Sequence, residues 1–175
     1  MQHFRVKLFA ETTADFDLGA AIPVFHRWIQ GSVLPEMLID VADYQHVPDG
    51  PGILLVSHEA FYGLDLGKGR LGLAYTRRAA LDGSVPDRIR QAYRAARAAA
   101  DRLMAEPEFA GTIRFPGSFE IAVNDRLLGP NTDEGWQQLE PALRAVVEEE
   151  VRGPYTVSRT GQPRDLLTAL VQSAD

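Results

Sequence analysis

Residues 53–77 read ILLVSHEAFYGLDLGKGRLGLAYTR, and this stretch holds three successive strand patterns. Residues 53–56 are apolar on both faces, which is typical of a central strand covered on each side. Residues 60–66 and 70–77 alternate, and the glycines between them can adopt the positive φ of a hairpin turn. Successive hairpin-like strands favour an antiparallel sheet, because a doubly wound parallel fold would place a helix between each pair.

Three helical patterns lie outside this stretch. The longest covers residues 84–105, where the Ser84 hydroxyl can cap the first turn. An apolar stripe predicts a second helix over residues 133–150. A short helix is predicted over residues 22–30, with Gly31 in the left-handed conformation that often follows a last turn. We therefore expect an α+β domain with a largely antiparallel sheet, two main helices on one face and a short third helix.

Further strands are predicted on either side of these helices. They cover residues 3–10, 37–42, 112–115, 118–123, 126–128 and 155–159. The two long helices are expected to pack on the same face of the sheet, because their apolar stripes match. The residues expected to make this contact are Ile89, Tyr93, Ala96, Leu139, Leu143 and Val146.

The composition bounds the class of protein. The 175 residues are 45% apolar and 24% charged, with a formal charge of −6 and no cysteine. These values fit one globular domain and exclude disulfide frameworks, thiol nucleophiles and Fe–S clusters. The N-terminus alternates as a strand rather than forming a signal peptide, and no apolar run could span a membrane. We expect a cytoplasmic protein without a membrane partner, and the predominance of Arg over Lys suggests a GC-rich bacterial genome.

Polar residues are concentrated between Asp40 and Glu59, around a turn rich in proline and glycine. His58 and Glu59 follow a buried strand, and an antiparallel hairpin would bring Asp40 within reach of His58. A histidine held by a carboxylate is the smallest acid–base unit, so these three residues are the catalytic candidates. His58 and Glu59 are expected to point to opposite sides of the sheet. No common catalytic or phosphate-binding motif occurs, so the sequence indicates no particular cofactor.

Three other residues are candidates for contact with a small ligand. Tyr44 and His46 belong to the same polar segment, and His26 lies at the margin of the buried stripe of the short helix. No metal site is expected, because His46 and His58 lie at opposite ends of a strand roughly 17 Å long.

Charge is unevenly distributed between the two long helices. Arg90, Arg94 and Arg97 form an exposed ridge on the first, while the second is rich in glutamate. The ridge has three interpretations: nucleic-acid binding, binding of a small anionic ligand, or pairing between helices or subunits. Nucleic acid is the weakest of these, because the net charge is negative and lysine is nearly missing.

Together these observations predict a small-ligand-binding or accessory protein that self-associates as a homodimer. The first alternative is an enzyme, a hydrolase or a proton-transfer catalyst with or without a metal, that uses His58, Glu59 and Asp40. The second alternative is a structural component of an assembly. Convergence of the three candidate residues in an open cleft would favour the enzyme.

Overall fold

A computed structural model describes residues 1–173, and in this part of the chain ten strands and three α-helices form an α+β fold. Their bounds, in chain order, are β1 (Phe4–Phe9), β2 (Glu11–Thr12), α1 (Ala21–Gly31), β3 (Leu38–Tyr44), β4 (Gly52–Ser57), β5 (Ala60–Asp65), β6 (Gly72–Arg77), α2 (Val85–Met104), β7 (Ile113–Arg114), β8 (Phe119–Val123), α3 (Asp133–Glu150), β9 (Tyr155–Thr160) and β10 (Thr168–Ser173).

Eight of the strands form one antiparallel sheet in the order β3-β4-β5-β6-β1-β8-β10-β9. The strands from β3 to β6 follow one another in sequence and in space, as the hairpin patterns predict. The first strand, β1, lies between β6 and β8 and joins the two halves of the sheet. The short strands β2 and β7 form a separate ribbon.

Both long helices pack on one face of this sheet, as predicted. Every residue expected at this contact is fully buried except Tyr93, which is half-buried with its ring 4.9 Å from the ring of Phe119. The short helix α1 adds Phe25 and Trp28 to the same core, and the Trp28 indole donates to Glu106 just beyond α2.

The ends of the helices follow local chemistry. Ser84 caps α2, and Asp87 completes the capping box by accepting from the Ser84 backbone N–H. Helix α1 continues through Gly31, and the left-handed residue is Ser32, with φ of 46°. The prediction for Gly31 is therefore wrong by one residue, because the Val33 N–H closes the last turn on the Trp28 carbonyl.

The strand predicted over residues 126–128 is wrong. These residues form a turn, since the Asp125 carboxylate accepts hydrogen bonds from the backbone N–H groups of Leu127 and Leu128. A carboxylate that binds the backbone two and three residues ahead competes with strand pairing.

The two faces of the sheet differ in chemistry. Along β1, Val6 and Leu8 point into the core beneath α2, so Arg5, Lys7 and Phe9 point to the opposite side. We call that side, turned away from α2 and α3, the outer face. It is the side on which most of the buried charge lies.

Candidate functional site: a charged groove on the outer face

Lys7 lies at the centre of the outer face and is only 2% exposed. Its neighbour across the β1–β8 pair is Glu120, and Asp65 at the end of β5 lies on its other side. Lys7, Asp65 and Glu120 are three of the four buried charged residues in the described chain. The strand order has therefore gathered charges from three strands into one place.

These charges are paired with one another. The Lys7 Nζ lies 2.6 Å from Asp65 Oδ1, and Arg5 lies 2.9 Å from both Asp65 and Glu120. The second oxygen of Glu120 lies 3.5 Å from the Nζ of Lys68. Buried ions are tolerated when paired and hydrogen-bonded in this way.

Gly72 makes room for the lysine side chain. A Cβ at this position of β6 would lie 2.9 Å from Lys7 Cγ, 3.0 Å from Lys7 Cε and 2.5 Å from the Leu8 carbonyl oxygen. The aliphatic stem of Lys7 therefore runs directly over a glycine, a close approach that no larger residue permits.

The turn between β5 and β6 covers the lysine head. The Gly67 carbonyl accepts a hydrogen bond of 2.9 Å from Lys7 Nζ, and Lys68 in this turn adopts a left-handed conformation. Two of the three N–H groups of the ammonium thus have protein acceptors. Burial lowers the pKa of Lys7 below its ordinary value, although the hydrogen bond and charge of Asp65 oppose the shift.

A groove passes over this network. Its two cavities, of about 380 and 410 Å³, share walls formed by Gly67, Lys68 and Glu120. Volumes of this size are typical of small-ligand sites. The larger cavity is flanked by Arg5 and Asp49.

The smaller cavity is the more cationic. Lys7, Lys68 and Arg70 line it together with two carboxylates, Glu120 and Asp165. Its remaining walls are mostly apolar or small, and are formed by Phe9, Gly67, Thr160, Gly161 and Leu170. A ligand here would contact positive charge on one side and apolar surface on the other.

Arg70 is held by an aromatic ring rather than by a carboxylate. Its guanidinium carbon lies 3.4 Å from the centroid of the Phe9 ring. Across residues 1–173 its donors have no hydrogen-bonded or ion-paired partner, in contrast to Lys7 and Arg5. A guanidinium stacked on a ring keeps its edge N–H groups free for a planar anion.

The three catalytic candidates do not assemble in a cleft. The His58 side chain is 71% exposed, and its Nδ1 lies 3.7 Å from Glu59 Oε1, so the two side chains approach each other instead of pointing to opposite sides. Asp40 lies opposite Val56 and accepts from the N–H of its own neighbour, Val41. In the described chain no hydrogen bond or ion pair joins Asp40 to His58.

The other single-residue candidates lie at the surface. Tyr44 ends β3 and His46 lies in the turn that follows; their rings are stacked 6.4 Å apart, and both residues are exposed. His26 is exposed on α1. None of the three lines the groove around Lys7.

The arginine ridge of α2 contacts α3. Arg90 binds Glu149 at 2.7 Å, Arg94 binds Glu150 at 2.6 Å, and Arg97 pairs within its own helix. Hydrogen bonding to Arg90 lowers the pKa of Glu149. This arrangement corresponds to the interpretation of the ridge as pairing between helices.

The groove residues were not among the candidates from the sequence, although a weak signal existed. Lys7, Asp65 and Glu120 each lie within an otherwise apolar strand pattern. Alternation places them on the face away from the core, but it does not indicate that this face is concave or which strands are neighbours.

Comparison with known proteins adds no assignment. The chain matches no protein-family profile, no curated protein and no solved structure. Residues 1–173 contain no cluster of three or more histidine or carboxylate side chains arranged to hold a metal ion. No helix in the same range is both long and apolar enough to cross a membrane.

Proposed function

We propose that this protein binds a small organic anion, with a carboxylate as the recognised group, in the smaller cavity of the outer-face groove. The observation that carries the proposal is Arg70, which is stacked on Phe9 while its edge donors have no partner in the described chain. A planar guanidinium edge matches the two oxygens of a carboxylate.

The buried network supports this proposal in two ways. Lys7 has one N–H beyond the two that bind Asp65 and Gly67, and it lines the same cavity. Because its other partners hold the ammonium in place, a ligand would not have to order it. The Lys68 side chain is 71% exposed and adds a further positive charge to the lining of this cavity.

The apolar residues that line the smaller cavity indicate that the ligand has an apolar part next to its carboxylate. Phe9 and Leu170 form part of the cavity, so an aliphatic or aromatic body next to the carboxylate would be buried. Asp165 and Glu120 disfavour ligands with several negative charges, because like charges in a partly buried site repel.

Benzoate is a suitable probe, and benzamide is its neutral isostere. Calorimetric titration of the full chain should show saturable binding of benzoate and none of benzamide at the same concentration. Arg70→Gln should weaken benzoate binding about tenfold, the effect of losing one charge-assisted pair. Arg78→Gln is the matched control, because Arg78 also lies over a ring, that of Phe61 at 5.0 Å, but outside this cavity.

Three results would overturn the proposal: no benzoate binding at millimolar concentration, equal binding of benzamide, or equal loss in the two arginine variants. Circular dichroism of each variant verifies the fold. Arg70 is exposed, so its replacement should leave the core intact.

We also propose that the protein self-associates as a dimer through the edge at β3. Four of the six exposed large apolar side chains in residues 1–173 lie between residues 37 and 47, in or next to this edge strand. They are Met37, Ile39, Tyr44 and Val47. The opposite edge, β9, is largely polar, so the partner that best matches the apolar edge is the same edge of a second copy.

A further inference from the structure

Glu36 differs from every other buried charged residue in the described chain. Its side chain lies in the loop before β3, and the residue is 9% exposed. Lys7, Asp65 and Glu120 are all ion-paired, but no Lys, Arg or His of residues 1–173 forms an ion pair with Glu36. Buried carboxylates are normally paired with a cation, so this exception requires an explanation.

Two tyrosines supply the only hydrogen bonds to this carboxylate within the described residues. The Tyr62 hydroxyl donates to Glu36 Oε2 at 2.6 Å, and the Tyr75 hydroxyl donates to Oε1 at 3.3 Å. Burial, and then the hydrogen bond to Glu36, raise the pKa of Tyr62 far above its ordinary value. Both phenols are therefore neutral donors, and neither supplies positive charge.

A second acceptor beside Glu36 lacks a partner. Gln91 on α2 donates through its Nε2 to the Tyr75 hydroxyl at 2.9 Å. Its Oε1 is buried and has no hydrogen-bond donor in the described chain. A buried amide oxygen without a donor costs free energy that a bound N–H group would recover.

Both groups line one cavity of about 470 Å³ between α2 and the loop before β3. Leu34, Pro35, Ala95 and Ala98 give it apolar walls, and the ring of Tyr62 forms another part of its surface. The cavity thus combines two acceptor side chains with apolar surface: Glu36, which has donors but no cationic partner, and Gln91, whose Oε1 has no donor in the described chain.

The rim of the cavity does not oppose a positive ligand. Arg90 and Arg94 line it, but three carboxylates, Asp87, Glu149 and Glu150, bind these two guanidiniums. Among the residues that line the cavity, the two carboxylates Glu36 and Asp87 equal Arg90 and Arg94 in number. Because both guanidiniums are already bound to carboxylates, Glu36 is the charge in this lining that has no counter-ion.

We propose that this cavity is a second ligand site, specific for a primary ammonium group attached to an apolar body, in which Glu36 and Gln91 Oε1 accept from the ammonium. An ammonium carries three donors and the charge that Glu36 lacks. The apolar body would lie against Ala95, Ala98 and Leu34, with the Tyr62 ring alongside. This site lies on the opposite side of the sheet from the groove around Lys7 and does not depend on the anion proposed there.

The test uses phenethylammonium as the probe and phenethyl alcohol as its neutral counterpart. Titration of isotope-labelled full-length protein followed by NMR should show saturable shifts of the Gln91 side-chain amide with the ammonium. The alcohol should shift the same signals at least about tenfold more weakly, as expected for loss of a charge-assisted contact.

Variants assign the binding to Glu36. Glu36→Gln keeps the shape of the side chain and should weaken binding of phenethylammonium by about tenfold or more. Glu59→Gln is the matched control, because Glu59 also has a buried unpaired oxygen but does not line the cavity. It should leave binding unchanged.

Gln91→Leu is the second variant in case Glu36→Gln fails to fold. It should remove the amide signal and weaken binding measured by calorimetry. The proposal is wrong if the ammonium and the alcohol bind alike, if Glu59→Gln loses as much affinity as Glu36→Gln, or if no ammonium binding appears at millimolar concentration. It is equally wrong if neither Glu36→Gln nor Gln91→Leu reduces the affinity.

Discussion

At the scale of single residues, the buried pair Tyr62 and Tyr75 ties stability to alkaline pH. Their rings lie 4.9 Å apart in an edge-on arrangement, and burial raises the pKa of both hydroxyls. When folding raises the pKa of a group, the whole contribution of that group to native-state stability is present at pH values below its pKa in the unfolded chain. That contribution is lost as the pH rises above about 10, where the unfolded tyrosines ionise first.

We therefore expect the free energy of unfolding to fall with pH above 10, by up to about 1.4 kcal/mol per pH unit for each such tyrosine. Denaturant unfolding of the wild type and Tyr62→Phe across this range measures the effect. The variant should show the shallower decline, and below about pH 9 the two profiles should run parallel. Lys7, whose lowered pKa has the opposite effect, is present in both proteins and cancels in the difference. Identical slopes above pH 10 would contradict this assignment.

Lys7 illustrates how far the sequence could indicate the site. Alternation along β1 correctly separates Val6 and Leu8 from Arg5 and Lys7, because side chains alternate strictly in a strand. The partner of Lys7 could not be inferred, since Asp65 lies 58 residues away and becomes adjacent only through the strand order. Candidates chosen from one segment, such as His58 and Asp40, could not include a site made by distant strands.

At the scale of elements, the start of α2 is fixed by two side chains. Ser84 accepts from the Asp87 backbone N–H, and Asp87 accepts in return from the Ser84 backbone N–H. Ser84→Ala should lower the free energy of unfolding by about 1 kcal/mol, because the first turn loses a capped donor. Thermal or urea unfolding measures the change.

Ser158→Ala is the control for this prediction. Ser158 is exposed in β9 and caps no helix, so its replacement should alter stability by less than about 0.5 kcal/mol. If Ser84→Ala and Ser158→Ala lower the free energy of unfolding equally, the helix cap does not account for the loss of stability in Ser84→Ala.

At the end of α1, a substitution is expected to raise the free energy of unfolding, whereas the loss of the α2 cap lowers it. Ser32 has φ of 46°, a region that suits glycine better than a residue with a Cβ. Ser32→Gly should raise the free energy of unfolding by about 0.5 kcal/mol, since relief of the backbone strain exceeds the entropy gained by the unfolded chain. Ser158→Gly, in extended backbone, should instead lower it. A loss of stability in Ser32→Gly would contradict this account.

Elements that are determined by neighbouring residues in the sequence were mostly predicted correctly, whereas strand positions that depend on pairing between distant parts of the chain could not be predicted. The helix that begins after Ser84 and the hairpins from β4 to β6 depend on neighbours in sequence, so their patterns were sufficient. Placement of β10 between β8 and β9 depends on pairing across the whole fold. The strand predicted over residues 126–128 was wrong for a local reason. The Asp125 carboxylate binds the backbone of the following turn, and alternation of apolar residues does not reveal such a contact.

At the scale of the whole molecule, the edge at β3 should determine the oligomeric state. Met37 and Ile39 are 68% and 53% exposed, although both are large apolar side chains. Ile39→Lys should shift the protein from dimer to monomer in analytical ultracentrifugation, because a charge at the centre of a two-fold contact meets its own copy or apolar surface.

Leu127→Lys is the matched control for the edge. Leu127 is 89% exposed in the turn before α3, outside the β3 edge, so its replacement should leave the mass in solution unchanged. A wild-type chain that sediments as a monomer, or an Ile39→Lys variant that remains dimeric, would show that this edge does not mediate self-association.

The position of β1 between β6 and β8 also has a kinetic consequence. The four strands from β3 to β6 can pair through short loop closures, because each is next to its partner in sequence. Strand β1 pairs with β6 and β8, which lie far along the chain, so its pairing requires long loop closures. Lys7 comes from β1, Asp65 from β5 and Glu120 from β8. During refolding, amide protection should therefore arise in β3 to β6 before the groove exists, and ligand binding should be the last property that the chain acquires.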